Sequence, residues 1–208
     1  MSKLLAPSKQ SEKTFVIDKH CVTLIAGFTS DANILVENAR VDAQRYLLKY
    51  RNFMPIEQII RGACDYKHSY TQHGGLRPFG VGFLMAGWDK NHGFQLYQSD
   101  PSGNFTGWKA TVIGQNNHAG KSILKTDLKE AATLDENIRL SIKVLMKTMD
   151  STTPSADRIE ISTVTRDAAT GEIFHRFVPK EVIEAILKEL QAAADAEQTR
   201  ETASAADM

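Results

Sequence analysis

Residues 70–89, YTQHGGLRPFGVGFLMAGWD, set Gly74-Gly75 and Gly80-x-Gly82 between a helix-like stretch and an apolar run. A phosphate cradle needs glycines that deliver backbone N–H groups at a helix N-terminus, often with Lys or Ser/Thr next in line. Here the glycines follow a helix and lead into a strand, so the dipole at that end has the wrong sign for an anion. A second stretch, WKATVIGQNNHAGKSIL, runs from a strand-like segment through Gly114 to Gly120-Lys121-Ser122, which opens a helix in the order of a P-loop. Five residues separate Gly114 from Gly120 where that motif requires four. The extra residue re-aims amides that should converge on one phosphate, and no parallel βαβ setting surrounds them.

Other chemistry is sparse. His20, His68, His73, His92, His118 and His175 are scattered, without an H-E-x-x-H or a paired Cys/His spacing, which argues against zinc. No G-x-S-x-G nucleophile elbow occurs, and the carboxylates fall mostly on helix faces where solvated charge is ordinary. Cys21 lies in a strand-like stretch and Cys64 in a helix-like one, with no C-x-x-C; both are expected as buried thiols of a reducing compartment. Metal, cofactor and nucleophile are all unexpected.

The elements that must carry these residues follow from the apolar periodicity. Thr14–Ile17 and Cys21–Ala26 read as paired strands. The next stretch, with Leu35, Ala39, Ala43, Tyr46 and Tyr50 at helical spacing, is a helix whose first turn Ser30 or Asp31 can cap. Pro55 suits the first position of another helix, with Ile56, Ile59, Ile60, Ala63 and Cys64 on one face and Gly74 placed to end it. Strands follow from Phe79 to Ile113, with Asp100-Pro101-Ser102-Gly103 as a type I turn. Two more helices come next. Thr133-Leu134-Asp135-Glu136 is a capping box, ahead of a stripe of Ile138, Ile142, Leu145, Met146 and Met149. Arg158–Thr165 and Glu172–Val178 form a last strand pair about Thr170-Gly171. A final helix from Pro179 buries Val182, Ile183, Ile186, Leu187 and Leu190. Residues 191–208 carry no apolar stripe and are expected as a frayed or disordered tail.

Strand runs alternating with helix runs point to an α+β fold of antiparallel sheet layered with helices. The 208 residues, 42% hydrophobic and 24% charged, suit one main domain. Lys plus Arg and Asp plus Glu number 25 each, so the whole-molecule field attracts neither nucleic acid nor an anionic membrane. The apolar part of Met1–Pro7 is too short for a secretory signal, and nowhere does an apolar run reach membrane-spanning length. An intracellular protein is expected.

Three stretches, FTSDANILVENAR, YTQHGGLRPFGV and AGWDKNHGFQLYQSDPSGNFTGWKATVIG, closely resemble α-type subunits of the proteasome core particle. The similarity spans about Lys13 to Leu190, and the stretch from Gly-Trp-Asp-Lys to Trp-Lys-Ala-Thr is highly specific. The resemblance implies a four-layer αββα sandwich of two stacked antiparallel sheets, the Ntn-hydrolase fold. Residues 1–190 would form the subunit domain and 191–208 a tail.

The resemblance also implies a non-catalytic subunit of an outer heptameric ring. Its partners would be neighbours like types 2 and 7, a β-type ring, proteasome activators or a regulatory particle, and unfolded chains in transit, in the cytoplasm and nucleus. Peptide cleavage in this family belongs to β-type subunits with an N-terminal Thr that uses its own amine as base. Relatives begin a few dozen residues earlier, with a gating tail, a helix and two strands, so an incomplete sheet with an exposed edge is expected.

The turn His73-Gly74-Gly75-Leu76-Arg77-Pro78-Phe79-Gly80 matches the one that lines the narrow α-ring entrance in relatives, with His73 where some carry an aromatic. Lys13 matches the lysine that relatives place in a pocket between adjacent α subunits for activator C-terminal carboxylates. Taken alone, a Lys before a strand is more often solvated surface. Two rival functions are a nucleotide enzyme built on Gly120-Lys121-Ser122 and a β-type threonine peptidase.

Overall fold

A computed structural model describes residues 13–149 and 155–206, with side chains to residue 193. Met1–Pro7 and the Ser11-Glu12 pair ahead of Lys13 lie outside the described residues. Two units are described, one of residues up to Gly114 together with Ser162–Arg176, the other of Gln115–Ile161 together with residues from Phe177 on.

The first unit is built on a five-stranded antiparallel sheet in sequence order, β1 (Thr14–Asp18), β2 (Cys21–Gly27), β3 (Val81–Asp89), β4 (Gly93–Ser99) and β5 (Phe105–Gly107). Its central strand alternates strictly, with Val81, Phe83, Met85, Gly87 and Asp89 on the more buried face. That face meets α1 (Thr29–Tyr50) and α2 (Ile56–Gln72), whose Leu35, Ala39 and Ala43, and Ile56, Ile59, Ile60 and Ala63, complete one core. Each large aliphatic side chain buried this way contributes roughly 1.5–3 kcal/mol. On the opposite face a two-stranded sheet, β6 (Ser162–Arg166) and β7 (Ile173–Phe177), meets β3, where the Arg166 guanidinium lies 4.6 Å from the Trp88 ring centre.

Gly87 marks the crossing of β3 beneath the start of α2, because a Cβ there would stand 2.4 Å from Ile56 Cδ1 and 2.5 Å from the His20 carbonyl oxygen. Asp89, two residues on, ties the same elements together. Its Oδ2 accepts from the Ile56 N–H (3.2 Å) and from Gln95 Nε2 (2.7 Å), and its Oδ1 accepts from the N–H groups of Asn91 and His92 (2.9 Å each). Burial opposes ionisation of this carboxyl, but the four donors outweigh it and hold it below the usual carboxylate range. The cap of α2 is thus supplied from β3, 33 residues away in sequence.

Local signals shift by small amounts. α1 starts at Thr29 with Phe28 in the cap position and no side-chain cap, since Asp31 is engaged elsewhere. Pro55 is the cap of α2 and not its first residue; the helix ends at Gln72, and Gly75 (φ 87°) rather than Gly74 takes the left-handed conformation. Ala156–Arg158 is a 3₁₀ turn with Ser155 Oγ accepting from the Asp157 N–H, so β6 begins later than the apolar pattern proposes.

The second unit packs α3 (Asn117–Asp127), α4 (Leu134–Thr148) and α5 (Lys180–Ala206). Thr133 and Glu136 form the expected capping box. Ile142, Ala156, Ile159, Ile183, Ile186 and Leu187 form its core, with Ile138, Leu145, Met146 and Leu190 against it. Lys143 and Asp127 pair at 2.7 Å between α4 and α3, and Arg139 pairs with Glu189 between α4 and α5. α5 continues to Ala206 beyond the end of its apolar stripe, on Ala, Glu and Gln, all strong helix formers.

Candidate functional site

The loop from His73 to Gly80 is bound at both ends and open in the middle. At its start the His73 N–H and the His73 ring Nδ1 both reach the Ser69 carbonyl, at 3.3 and 2.6 Å, closing α2 and turning the imidazole back along the helix. At its end Phe79 is buried against Tyr70 and Tyr66, with ring centres 4.7 and 5.8 Å away. Between these, a Cβ on Gly74 or Gly75 would meet nothing within 4 Å, and Leu76 is 58% exposed.

Asp31 fastens the second half. Its buried carboxylate accepts from Arg77 Nη1 at 2.7 Å, from Arg77 Nη2 at 2.8 Å and from the Gly80 N–H at 2.9 Å. The Gly80 carbonyl in turn accepts from the Phe28 N–H at 2.9 Å, and the Phe28 ring covers Gly80 so closely that a Cβ would stand 2.4 Å from it. The Arg77 fork, helped by the Gly80 N–H, holds the Asp31 carboxyl down to about 2. Asp31 also lies in the first turn of α1, where the helix dipole favours a negative charge.

Lys67 lies beneath this region and is the largest fully buried side chain among the described residues. Its Nζ donates to the Val81 carbonyl (3.0 Å), Ser99 Oγ (2.9 Å) and the Asp100 carbonyl (3.4 Å), and sits 4.2 Å from the Phe83 ring centre. Burial lowers this ammonium to about 8. The residue extends the stripe Ile56, Ile59, Ile60, Ala63, Cys64 by one further helical step, so periodicity alone places it inward; its charge hid it. Cys64 and Cys21 are both buried free thiols, and burial pushes each thiol up.

The Lys13 carbonyl accepts from the Ile25 N–H at 3.0 Å, extending the ladder in which Thr14 faces Leu24, and the residue is exposed. Because Gly27 faces Val81 across β2 and β3, the start of β1 and the exit of the loop lie at the same end of the sheet. Sequence reasoning named Lys13 and the loop separately; the register brings them to one rim.

The rival nucleotide site is overturned by the start of α3. That helix begins at Asn117, so Gly120-Lys121-Ser122 lies inside it, with the Gly120 N–H bonded to the Asn116 carbonyl (3.2 Å) and Ser122 Oγ to the His118 carbonyl (3.0 Å). An amide used in the helix ladder cannot cradle a phosphate. Among the described residues no His, Cys, Asp and Glu side chains gather as a metal-binding group, and His20 instead bonds Met54 O at 2.7 Å and stacks on Phe53. No described helix is long and apolar enough to cross a membrane.

Comparison with known proteins agrees with this architecture. The family described as "Proteasome subunit" matches residues 1–164. "Proteasome subunit alpha type-4-1" of Oryza sativa subsp. indica is 50% identical over 186 residues, which cover 89% of this chain and 74% of the relative. "Proteasome subunit alpha type-4-A" of Arabidopsis thaliana is 51% identical over 187 residues, covering 90% and 75%. "Proteasome subunit alpha type-4" of Spinacia oleracea is 55% identical over 163 residues, covering 78% and 65%. With the helix-backed antiparallel sheet, the glycine-rich turn and this degree of identity together, the chain belongs to the proteasome subunit family, and its relatives there are α-type subunits.

Proposed function

We propose that this chain is a non-catalytic, structural subunit of the outer α ring of a 20S proteasome core, acting in ring assembly and in control of passage to the proteolytic chamber during protein breakdown. The observation that carries the reading is the loop His73–Gly80, held by Asp31 and by Phe79 at its base while Leu76 stands in solvent at its tip. A turn that edges an opening must keep its position while other chains slide past it, and a buried anion with three donors provides that rigidity.

In this reading the loop lines the entrance to the ring, and Lys13, on the same rim, receives the C-terminal carboxylate of an activator or regulatory particle. A Lys ammonium beside a carboxylate in a partly desolvated groove is a sound recognition device. The neighbours are α-type subunits like types 2 and 7, with a β-type ring beneath and unfolded chains in transit; the compartments are cytoplasm and nucleus. Residues 1–190 form the subunit domain, and 191–208 carry no assigned role.

Leu76→Cys in assembled particles tests the loop. With an added thiol oxidant such as diamide to take up the two electrons, a disulfide to a cysteine-bearing unfolded substrate caught in passage is expected, and its absence with substrate still degraded refutes the placement. Lys13→Ala tests the rim: loss of activator binding is expected, and unchanged binding removes Lys13 from the proposal.

A further inference from the structure

The two side chains of the loop that can carry positive charge are both turned away from its tip. His73 Nδ1 is bonded back to the Ser69 carbonyl at 2.6 Å. Arg77 folds toward α1, with both terminal nitrogens on Asp31, Nη1 also on the Pro78 carbonyl at 3.0 Å, and its guanidinium carbon 5.7 Å from the Phe28 ring centre. What remains at the tip is Gly74, Gly75 and the exposed Leu76.

We propose that Asp31 is a positioning residue that withdraws Arg77 from the passage, so that this subunit presents an apolar, uncharged edge to extended polypeptides of either sign of charge. The proposal rests on the loop lining the entrance, as argued above. The physical reason is selectivity. A free guanidinium on a narrow rim would bind acidic segments and repel basic ones. Paired with a buried carboxylate it contributes neither effect, while Leu76 offers only weak, sequence-tolerant contact. A mere structural tie would need one hydrogen bond to the Gly80 N–H; the additional two-pronged grip on Arg77 is what neutralises the cation.

The test uses assembled particles and two unfolded polypeptides of equal length, one rich in glutamate and one rich in lysine. With Asp31→Asn the ratio of degradation rates should move roughly threefold toward the glutamate-rich chain. Asp31→Asn/Arg77→Gln should return the ratio to its starting value, because the freed cation is gone. Arg77→Lys, which cannot grip both oxygens at once, should shift the ratio in the same direction by less, and it serves as the test if the Asp31 variant fails to assemble. Loss of assembly or a uniform loss of rate with an unchanged ratio overturns the inference once Arg77→Lys also leaves the ratio unchanged. The Leu76→Cys cross-link separates the two readings. A cross-link without any change of ratio refutes the role of Asp31 alone; no cross-link refutes the entrance placement and the inference with it.

Discussion

Asp31 and Arg77, 46 residues apart, meet in a two-pronged pair at 2.7 and 2.8 Å that fixes the exit of the glycine-rich loop to the first turn of α1. The pair is unequal: the carboxylate is buried, while the Arg77 side chain is 65% exposed. Removing the anion therefore releases a solvated cation at little cost to it. Removing the cation strands a desolvated anion. Arg77→Ala is accordingly expected to lower the denaturant midpoint more than Asp31→Asn does.

Acid should loosen the loop late. The folded carboxyl of Asp31 sits at about 2, below its ordinary 3.8, so its contribution is fully present above about pH 4 and is lost as pH falls through about 2. Amide exchange of Gly80, whose N–H this carboxylate accepts, should accelerate in that window in the wild type. In Asp31→Asn the added dependence on pH should be absent.

Gly80 is where the chain passes beneath Phe28. Gly80→Ala places a methyl 2.4 Å from the ring, which is 62% exposed and can swing aside, giving up its cover of Arg77. A loss of about 1 kcal/mol is expected. Phe28→Ala should recover most of it, so a double-mutant cycle on melting temperature should report strong coupling between the two positions.

Lys67 predicts a dependence of the same sign in a far more alkaline window. Its ammonium is lowered to about 8 by burial, so between about 8 and its ordinary 10.5 the unfolded chain binds a proton that the folded one does not. Its contribution to stability therefore rises with pH across that window, by up to about 3 kcal/mol. Lys67→Met, compared with the wild type at pH 7 and pH 10, should remove that rise. It should also lower stability at both, because the Val81 and Asp100 carbonyls lose their donor.

Much of this molecule is legible along the chain because much of it is local. The stripe Ile56, Ile59, Ile60, Ala63, Cys64 names its own buried face, and Thr133 and Glu136 meet within one turn. The quoted motifs carried the family for the same reason, being contiguous. The departures are equally instructive. Asp31 looked like a cap for its own helix, yet its carboxylate is taken by Arg77 and Gly80, and α2 receives its cap from Asp89 on another strand. Lys67 carries a charge that a search for apolar stripes passes over, yet three oxygens and an aromatic face converge on it inside the core.

By itself, the sequence determined the α+β element order, the apolar faces, the non-phosphate character of the loop and the family. Only the tertiary structure decided which charges are paired and which end of the sheet gathers Lys13 with the loop. Propensity and periodicity act over a few residues, whereas a charge is neutralised by whatever the fold brings within about 3 Å, here from 46 positions away.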